Sequence, residues 1–212
     1  MDSALIDALR QSVLEIASPS TSNERRWAAT QFVEAQKEQN PNLHELGLYF
    51  ASPHVHAGVD EPSALLSLRL FGLQLIEHCV RFRWNTYTPA EKDAMKSLLL
   101  GRLMCDTKDV REESKAIKEK IGVVMTEAVK REWPQHWLDL ITNLMALSTQ
   151  DSTRSDLVFT FFQVFIADVM EYDTHLPLDR KKDLKAGITD ILPSLLNGLA
   201  LTLSACVNEV RG

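Results

Sequence analysis

The sequence has few of the residues that interrupt helices, or that build disulfide frameworks and metal sites. It contains eight glycines, eight prolines and three cysteines among 212 residues. Low glycine and proline content favours helix. Cys79, Cys105 and Cys206 are far apart and odd in number, which predicts neither a disulfide framework nor a zinc site with clustered ligands. We expect reduced thiols, with Cys79 and Cys105 inside apolar helical patterns.

Signals for secretion and membrane insertion are also missing. The sequence shows no charged-then-apolar N-terminal segment, no apolar run that we judge long enough to cross a bilayer, and no Asn-x-Ser/Thr acceptor. We therefore predict an intracellular protein with no membrane insertion. The net charge of −6 argues against a general nucleic-acid binder, which needs basic residues for phosphates. An acidic chain can still carry a local basic groove.

Apolar residues recur with helical spacing along almost the whole chain. The patterns predict helices at about 2–17, around Trp27 and Phe32, and at about 42–51, 62–83, 89–104, 110–132, 134–148, 153–173 and from about 178. Helix pairs start near residues 2, 42, 89, 134 and 178, a spacing of roughly 40–47 residues that is typical of HEAT-type hairpins. The predicted fold is an all-α solenoid of about five hairpins. We expect a fragment or a truncated gene product, because the last hairpin is incomplete.

Three turn sequences predict where helices begin or bend. Thr88-Pro89-Ala90-Glu91 predicts a capped helix start with a capping box. Trp133-Pro134 predicts a corner at which Pro134 takes the first turn of the next helix and the rings of Trp133 and Trp137 pack on it. Pro193 predicts a kink in the last helix near Thr189. The basic cluster at 179–182 is interpreted as solvated.

Helical wheels divide the helix at 62–83 very unevenly. Its apolar side chains cover all but a stripe of roughly 100°. The apolar residues are Leu65, Leu66, Leu68, Leu73, Leu75, Ile76, Cys79, Val80 and Phe82, and the stripe holds Ser67, Gln74, Glu77, His78 and Arg81, with Leu70 among them. A helix of this kind is buried between neighbours, so the stripe is predicted to line the concave surface of the solenoid.

The helix at 110–132 has a core face opposite a charged face. The charged face holds Glu112, Lys115, Glu119, Thr126 and Lys130. Glu127 is placed to pair with Arg131 four residues later. Two interpretations of the charged face stay open, a solvated salt-bridged surface and a surface that binds a partner.

Catalytic and metal-binding motifs are not found. The sequence has no phosphate-binding glycine loop, no nucleophile elbow and no His-Glu-x-x-His pair. His54-Val55-His56 is the one spacing that resembles metal ligation, and we interpret both residues as solvent-exposed loop histidines. The prediction is therefore a protein that is not an enzyme, with no catalytic residues, no metal and no cofactor of its own.

Two segments resemble a known family. Phe71-Gly72-Leu73-Gln74-Leu75-Ile76-Glu77-His78, followed by Val80-Arg81-Phe82-Arg83-Trp84, looks like the N-terminal signature of the exportin branch of the importin-β superfamily. Lys130-Arg131-Glu132-Trp133-Pro134-Gln135-His136-Trp137 resembles a member associated with export of pre-microRNA hairpins. The resemblance covers residues 20–205. It implies importin-β N-terminal-type hairpins over 1–87 and exportin-1/importin-β-like hairpins over 88–212.

The resemblance implies a karyopherin that binds the small GTPase Ran in its GTP state. Such a receptor meets nuclear pore proteins, carries an RNA hairpin or protein cargo and shuttles between nucleus and cytoplasm, and the only GTP involved is bound to Ran. The residues expected to face Ran are Leu70, Gln74, His78 and Arg81, with Lys115, Glu119 and Thr126 as second choices. The alternative function is a HEAT scaffold or adaptor that binds another protein on its concave face. A metalloenzyme using His54 and His56 is a third, weaker hypothesis.

Overall fold

The computed structural model describes residues 2–56, 58–59, 61–172 and 176–211, and within these ranges the chain forms helices and turns without a β-strand. The helices are α1 (Ser3–Ala17), α2 (Asn23–Gln39), α3 (Leu43–Ala51), α4 (Pro62–His78), α5 (Pro89–Leu98), α6 (Lys115–Glu132), α7 (Leu140–Ser148), α8 (Ser152–Ala167) and α9 (Leu178–Arg211). Wider π-helical turns extend α4, α5 and α8 over Cys79–Arg83, Leu99–Leu103 and Asp168–Tyr172. A 3₁₀ turn follows at Trp84–Thr86.

Consecutive helices pair into hairpins that stack along the chain. Within hairpins α1 packs on α2, α3 on α4 and α7 on α8; between hairpins α1 contacts α4, α4 contacts α6, and α6 contacts α8. The second helices α4, α6 and α8 therefore lie side by side in one layer. The predicted all-α fold of HEAT-type hairpins is confirmed, with three packed pairs, the helices α5 and α6, and the long helix α9 among the described residues.

Two helices start later than the sequence pattern predicts. α6 begins at Lys115 rather than near residue 110, and α7 begins at Leu140 rather than near 134. The residues before α6 form turns organised by a buried carboxylate, described below.

The division of the chain at residues 87 and 88 falls in the turn before α5 and stays a prediction, as does the kink near Thr189.

The start of α5 is capped as the sequence predicts. The backbone N–H of Glu91 donates to Thr88 Oγ1 at 3.3 Å, and the N–H of Thr88 donates to Glu91 Oε2 at 2.7 Å. These reciprocal bonds satisfy donors that the first helical turn leaves free. The capping box is confirmed.

The Trp133–Pro134 corner is built differently from the prediction. Both Trp133 and Trp137 are buried, as expected for rings that pin two helices. Trp133 is extended, a conformation that the following proline favours, and its peptide bond to Pro134 is cis. Pro134 therefore lies in a turn six residues before α7, and its predicted place in a first helical turn is wrong.

Arg180 closes this corner from the next hairpin. Its guanidinium donates to the carbonyls of Lys130 at 2.8 Å, of Val129 at 3.3 Å and of Trp133. The carbonyls of Lys130 and Trp133 lie at the C-terminal end of α6, where acceptors lack helical partners, and the Val129 carbonyl also accepts the Trp133 N–H. The interpretation of the 179–182 cluster as solvated is wrong for Arg180, because its side chain caps a neighbouring helix.

Arg69 and Glu113 form a buried ion pair that joins three parts of the chain. The guanidinium of Arg69 donates from Nη1 and Nη2 to the two Glu113 oxygens, each at 2.7 Å, and from Nε to the Ala51 carbonyl at 3.0 Å. Glu113 also accepts the backbone N–H groups of Lys108 and Ser114 at 3.0 Å. Both side chains are under 5% exposed. The pair thus ties the end of α3, the middle of α4 and the loop before α6.

Glycines let α3 and α4 approach closely. A Cβ at Gly72 would lie 2.6 Å from the Gly47 carbonyl oxygen and even nearer to the Ala51 nitrogen. A Cβ at Gly47 would lie 2.9 Å from the Gly72 oxygen. Only hydrogen fits at either position, so the two backbones are in direct contact.

α4 and the turns after it form a long, strongly apolar segment. The segment Pro62–Thr86 has the length and composition of a membrane span, and an apolar window of 18 residues within it has a mean hydropathy of 1.2, which corrects the prediction that no run is long enough. Half of that apolar window is buried within the protein. α4 packs between α3 and α6 and carries the buried Arg69. These properties are those of the core helix of a stacked fold.

The histidine loop after α3 also corrects the sequence interpretation. His56 is 6% exposed, its ring stacks on Phe50, and its Nε2 lies 2.9 Å from the Phe50 carbonyl oxygen. His54 is exposed, with Nε2 3.4 Å from Asp106 Oδ1. His56 is therefore a packed residue rather than an exposed one.

Gly72→Ala tests the close contact between α3 and α4. The added methyl group forces the backbones apart, so we expect the free energy of unfolding to fall by about 1–3 kcal/mol, measured by urea denaturation. Gly101→Ala is the matched control, since a Cβ there meets nothing within 4 Å. The control should leave stability unchanged or raise it slightly. An unchanged urea midpoint for Gly72→Ala contradicts the contact.

Glu113→Gln tests the buried ion pair. It leaves the Arg69 charge buried without a counter-ion, so we expect a loss of roughly 3–5 kcal/mol. Glu119→Gln, which breaks the exposed Lys115–Glu119 pair, should cost about 0.5 kcal/mol or less.

The stability difference between wild type and Glu113→Gln depends on pH. Burial raises the pKa of Glu113, but hydrogen bonds from Arg69 and two backbone N–H groups outweigh it and hold the pKa below 4.5. A lowered pKa contributes stability that is complete above 4.5 and is lost as the pH falls through the folded value. The difference between wild type and Glu113→Gln should therefore shrink only in acid. A difference that is already small at neutral pH contradicts the role of the pair.

Candidate protein-interaction surface

The candidate surface is the exposed side of α4 and α6 in the layer of second helices. Contacts between Glu77 and Lys120, and between Arg81 and Glu127, fix how α4 and α6 lie against each other. Glu77 precedes Arg81 by one turn, and Lys120 precedes Glu127 on α6, so the two helices run in the same direction. Gln74 consequently lies level with the first turns of α6, which carry Lys115 and Glu119.

On α4 the four predicted residues differ in accessibility. Gln74 is exposed, and the Arg81 side chain is 49% exposed while its Nη1 lies 3.2 Å from Glu77 Oε1. Leu70 is half-buried and packs against the main core. His78 is half-buried, with its ring centre 4.9 Å from that of Phe82. Leu70, Gln74 and His78 lie on one side of α4 and Arg81 lies on the π turn after it, but only Gln74 and Arg81 are broadly accessible.

The predicted residues on α6 divide sharply. Lys115 and Glu119 are exposed and form an ion pair at 3.5 Å. Thr126 is 2% exposed, and its hydroxyl has no hydrogen-bond partner among the described residues. The prediction is wrong for Thr126, because the second half of α6 is covered by α4 and its π turn on one side and by α8 on the other.

Ion pairs cross from helix to helix along this layer, and we call this set the ion-pair ladder. It joins α4 to α6 and α6 to α8. Its members are Glu77–Lys120, Arg81–Glu127 at 3.7 Å, Lys118–Asp156 at 2.8 Å and Lys130–Asp168 at 2.9 Å. Every rung pairs opposite charges, so the ladder carries little net potential and joins neighbouring hairpins.

Glu127 is the junction of the ladder on α6. It lies 2.9 Å from Lys130 Nζ and 2.8 Å from Arg131 Nη1, which confirms the predicted pairing four residues apart. Burial raises the pKa of Glu127, but hydrogen bonds from Lys130 and Arg131 outweigh it and lower that pKa below 4.5. The carboxylate is therefore charged at neutral pH and holds three cations together, Arg81 included.

The sequence reasoning missed two accessible aromatic side chains. Phe82 is 70% exposed, although the wheel placed it in the core, and Trp27 on α2 is 67% exposed. The π turn after His78 changes the phase of the helix, so a wheel drawn at a constant angle misplaces Phe82. For Trp27 a signal was available, because polar residues follow it at Gln31 and Glu34 on the same side of α2.

The pKa of His78 is lowered below its usual 6.5. Partial burial is the larger cause, and the nearby positive charges of Arg83 and Lys37 are the next ones. A histidine with a lowered pKa is mostly neutral at pH 7. His78 therefore presents a neutral ring, tilted against the ring of Phe82, at the edge of the surface.

No group of three His, Cys, Asp or Glu residues arranged to hold a metal occurs in the part of the chain that the structure describes. Cys79 is buried, Cys105 is half-buried, and both are free thiols. The side chain of Cys206 lies outside the described residues. The geometry on α4 and α6 is that of a polar surface with accessible hydrogen-bonding groups.

Comparison with known proteins gives a consistent relationship. A profile of the Xpo1 family, described as exportin 1-like protein, matches residues 114–211. Exportin-5 of Mus musculus is 33% identical over 208 residues, and exportin-5 of Homo sapiens is 32% identical over the same number. Both alignments cover 98% of this chain. Protein HASTY 1 of Arabidopsis thaliana is 27% identical over 94% of the chain.

The chain spans about a sixth of the length of these relatives, 16% of each. The resemblance to exportins that the two sequence segments indicated is confirmed. Residues 114–211 match the exportin 1-like profile, and the chain is similar in sequence to exportin-5 along nearly its entire length.

Proposed function

We propose that this chain is the N-terminal segment of a nuclear export receptor, and that it binds Ran in the GTP state through the exposed side of α4 and α6. The observation that carries the proposal is the presence of Gln74, Arg81, Lys115 and Glu119 as accessible polar groups on two adjacent helices. The similarity to exportins supports it. Leu70 and His78 would contribute only their exposed edges.

A protein partner suits this surface better than RNA does. The cations of α6 are mostly paired, Lys118 with Asp156, Lys120 with Glu77, and Arg131 with Glu127. RNA backbone binding needs cations that are available to phosphates. Participation in export of structured small RNA, such as pre-microRNA, or of protein cargo would then draw on other parts of the receptor.

The receptor would make contact with nuclear pore proteins and shuttle between nucleus and cytoplasm. It would need no cofactor and no catalytic group of its own, since GTP enters only bound to Ran. The alternative is a HEAT-type scaffold or adaptor that uses the same accessible residues for a different protein.

Binding of Ran in its two nucleotide states tests the proposal. We expect biolayer interferometry to show capture of Ran loaded with a non-hydrolysable GTP analogue and at least tenfold weaker capture of Ran with GDP. The combined variant Gln74→Ala, Arg81→Ala should weaken binding of the GTP form at least tenfold. Thr142→Ala, at an exposed position of α7, is the control and should bind as wild type does.

Equal capture of both nucleotide states, or no capture of either, overturns the Ran proposal for this chain. If capture depends on the nucleotide state but is unchanged in the Gln74→Ala, Arg81→Ala variant, Ran remains the partner and its contact lies away from α4. Either result favours the scaffold alternative for this particular surface.

A further inference from the structure

Two aromatic side chains lie exposed on neighbouring elements, Trp27 near the start of α2 and Phe82 beside the end of α2. Trp27 is 67% exposed on α2, and Phe82 is 70% exposed on the π turn after α4. The other tryptophans, Trp84, Trp133 and Trp137, are at most 4% exposed. Large exposed aromatics cost solvation free energy unless a partner covers them, so this pair calls for an explanation.

The π turn is fastened to the end of α2. The guanidinium of Arg83 donates to the carbonyls of Asn40 at 2.6 Å, of Glu38 at 3.1 Å and of Lys37. Phe82, the preceding residue, is thereby held beside α2. Its ring lies against that of His78, which lies near the cations Arg83 and Lys37 and near the carboxylates of Glu34 and Glu38.

The same side of α2 is acidic. At about 100° per residue, Trp27, Gln31, Glu34 and Glu38 fall within an arc of roughly 60°, with Glu24 at its edge. Glu34 has a neighbouring cation, Lys37 at 2.6 Å, and its own side chain is 53% exposed. Glu24 and Glu38 form no ion pair with any residue in the ranges that the structure describes.

Aromatic faces beside carboxylates are suited to cations. A Lys or Arg side chain gains from stacking over an indole or phenyl ring and from a nearby carboxylate at the same time. The carboxylates of Glu24, Glu34 and Glu38 disfavour an anionic ligand such as RNA, while Lys37 and Arg83 offset part of their charge near Phe82. Apolar side chains next to the cation would cover what remains of the two rings.

We propose that Trp27 and Phe82, with Glu24, Glu34 and Glu38, form a docking surface for a cationic segment of a partner protein, in which Lys or Arg alternates with apolar residues. We call it the α2 docking surface. If the segment belongs to Ran, the inference rests on the proposed function; the surface itself requires only the stated chemistry, and the experiment separates the two.

The probe is a fluorescein-labelled peptide, Gly-Arg-Leu-Arg-Gly-Arg-Leu-Arg-Gly, titrated with the purified chain and followed by fluorescence anisotropy. We expect binding that weakens as salt is raised from about 50 to about 300 mM, because the attraction is partly electrostatic. Trp27→Ala and the double variant Glu34→Gln, Glu38→Gln should each raise Kd at least tenfold. Emission of Trp27 should change on binding, while the three other tryptophans are shielded.

Two controls separate the surface from the bulk charge of the chain. Asp179→Asn removes an exposed carboxylate elsewhere, and Leu138→Ala removes an apolar side chain that is 82% exposed. Both should bind the Arg peptide as wild type does. A peptide with Glu in place of every Arg should not bind.

The proposal is overturned if the Trp27 and Glu34/Glu38 variants bind the Arg peptide as tightly as wild type does. It is also overturned if the Glu peptide binds equally, if the controls lose as much affinity, or if an RNA hairpin binds more tightly and needs Trp27. Measuring Ran capture with the same variants keeps the two proposals apart. If the Trp27 and Glu34/Glu38 variants lose peptide binding but keep Ran binding, the α2 docking surface is supported and its partner is not Ran. If only the Gln74→Ala, Arg81→Ala variant loses Ran binding, the proposed function is supported independently of the α2 docking surface.

Discussion

The buried pair of Arg69 and Glu113 is the constraint around which the stacking of the central hairpins is arranged. Removing two charges from water is costly, and this cost is offset only when every donor and acceptor is matched. Here Glu113 accepts from Arg69 and from two backbone N–H groups, and Arg69 also donates to the Ala51 carbonyl. The second hairpin and the loop before α6 must therefore hold one relative position.

That fixed position aligns α4 with α6, so that their side chains form one continuous surface. With α4 held against the loop that leads into α6, Glu77 meets Lys120 and Arg81 meets Glu127. The ion-pair ladder then repeats the arrangement between α6 and α8 through Lys118 and Lys130. The charges of the ladder are paired within the layer, whereas Gln74, Trp27 and Phe82 are accessible and carry the two proposed binding surfaces.

Periodicity in the sequence was sufficient to predict the helices, their pairing and the HEAT-type fold. Local chemistry was also readable, as in the capping box at Thr88 and the pairing of Glu127 with Arg131. Contacts between hairpins were not readable from the sequence. Nothing near Arg69 or Arg180 indicates that each side chain is matched to partners more than forty residues away.

The candidate surface was predicted in outline and missed in detail. Gln74, Arg81, Lys115 and Glu119 are accessible, as the wheels suggested. Thr126 is buried because burial on α6 depends on both neighbouring helices, which a wheel of one helix does not contain. Phe82 is exposed because a π turn changes the helical phase, and its backbone hydrogen bonds are not encoded by hydrophobic spacing. Whether these residues bind Ran stays a prediction.

The hydrogen bonds and ion pairs that join one hairpin to the next share a narrow range of chain separation. Lys118–Asp156 and Lys130–Asp168 span 38 residues, Trp84–Glu132 spans 48, and Arg180–Val129 spans 51. Each link reaches one repeat along the chain, so the protein behaves as a row of units coupled to nearest neighbours. Such a row can begin folding at any hairpin and extend outward, and damage to one unit weakens its two junctions rather than the whole. Its mechanical response to a partner is then set at each junction separately.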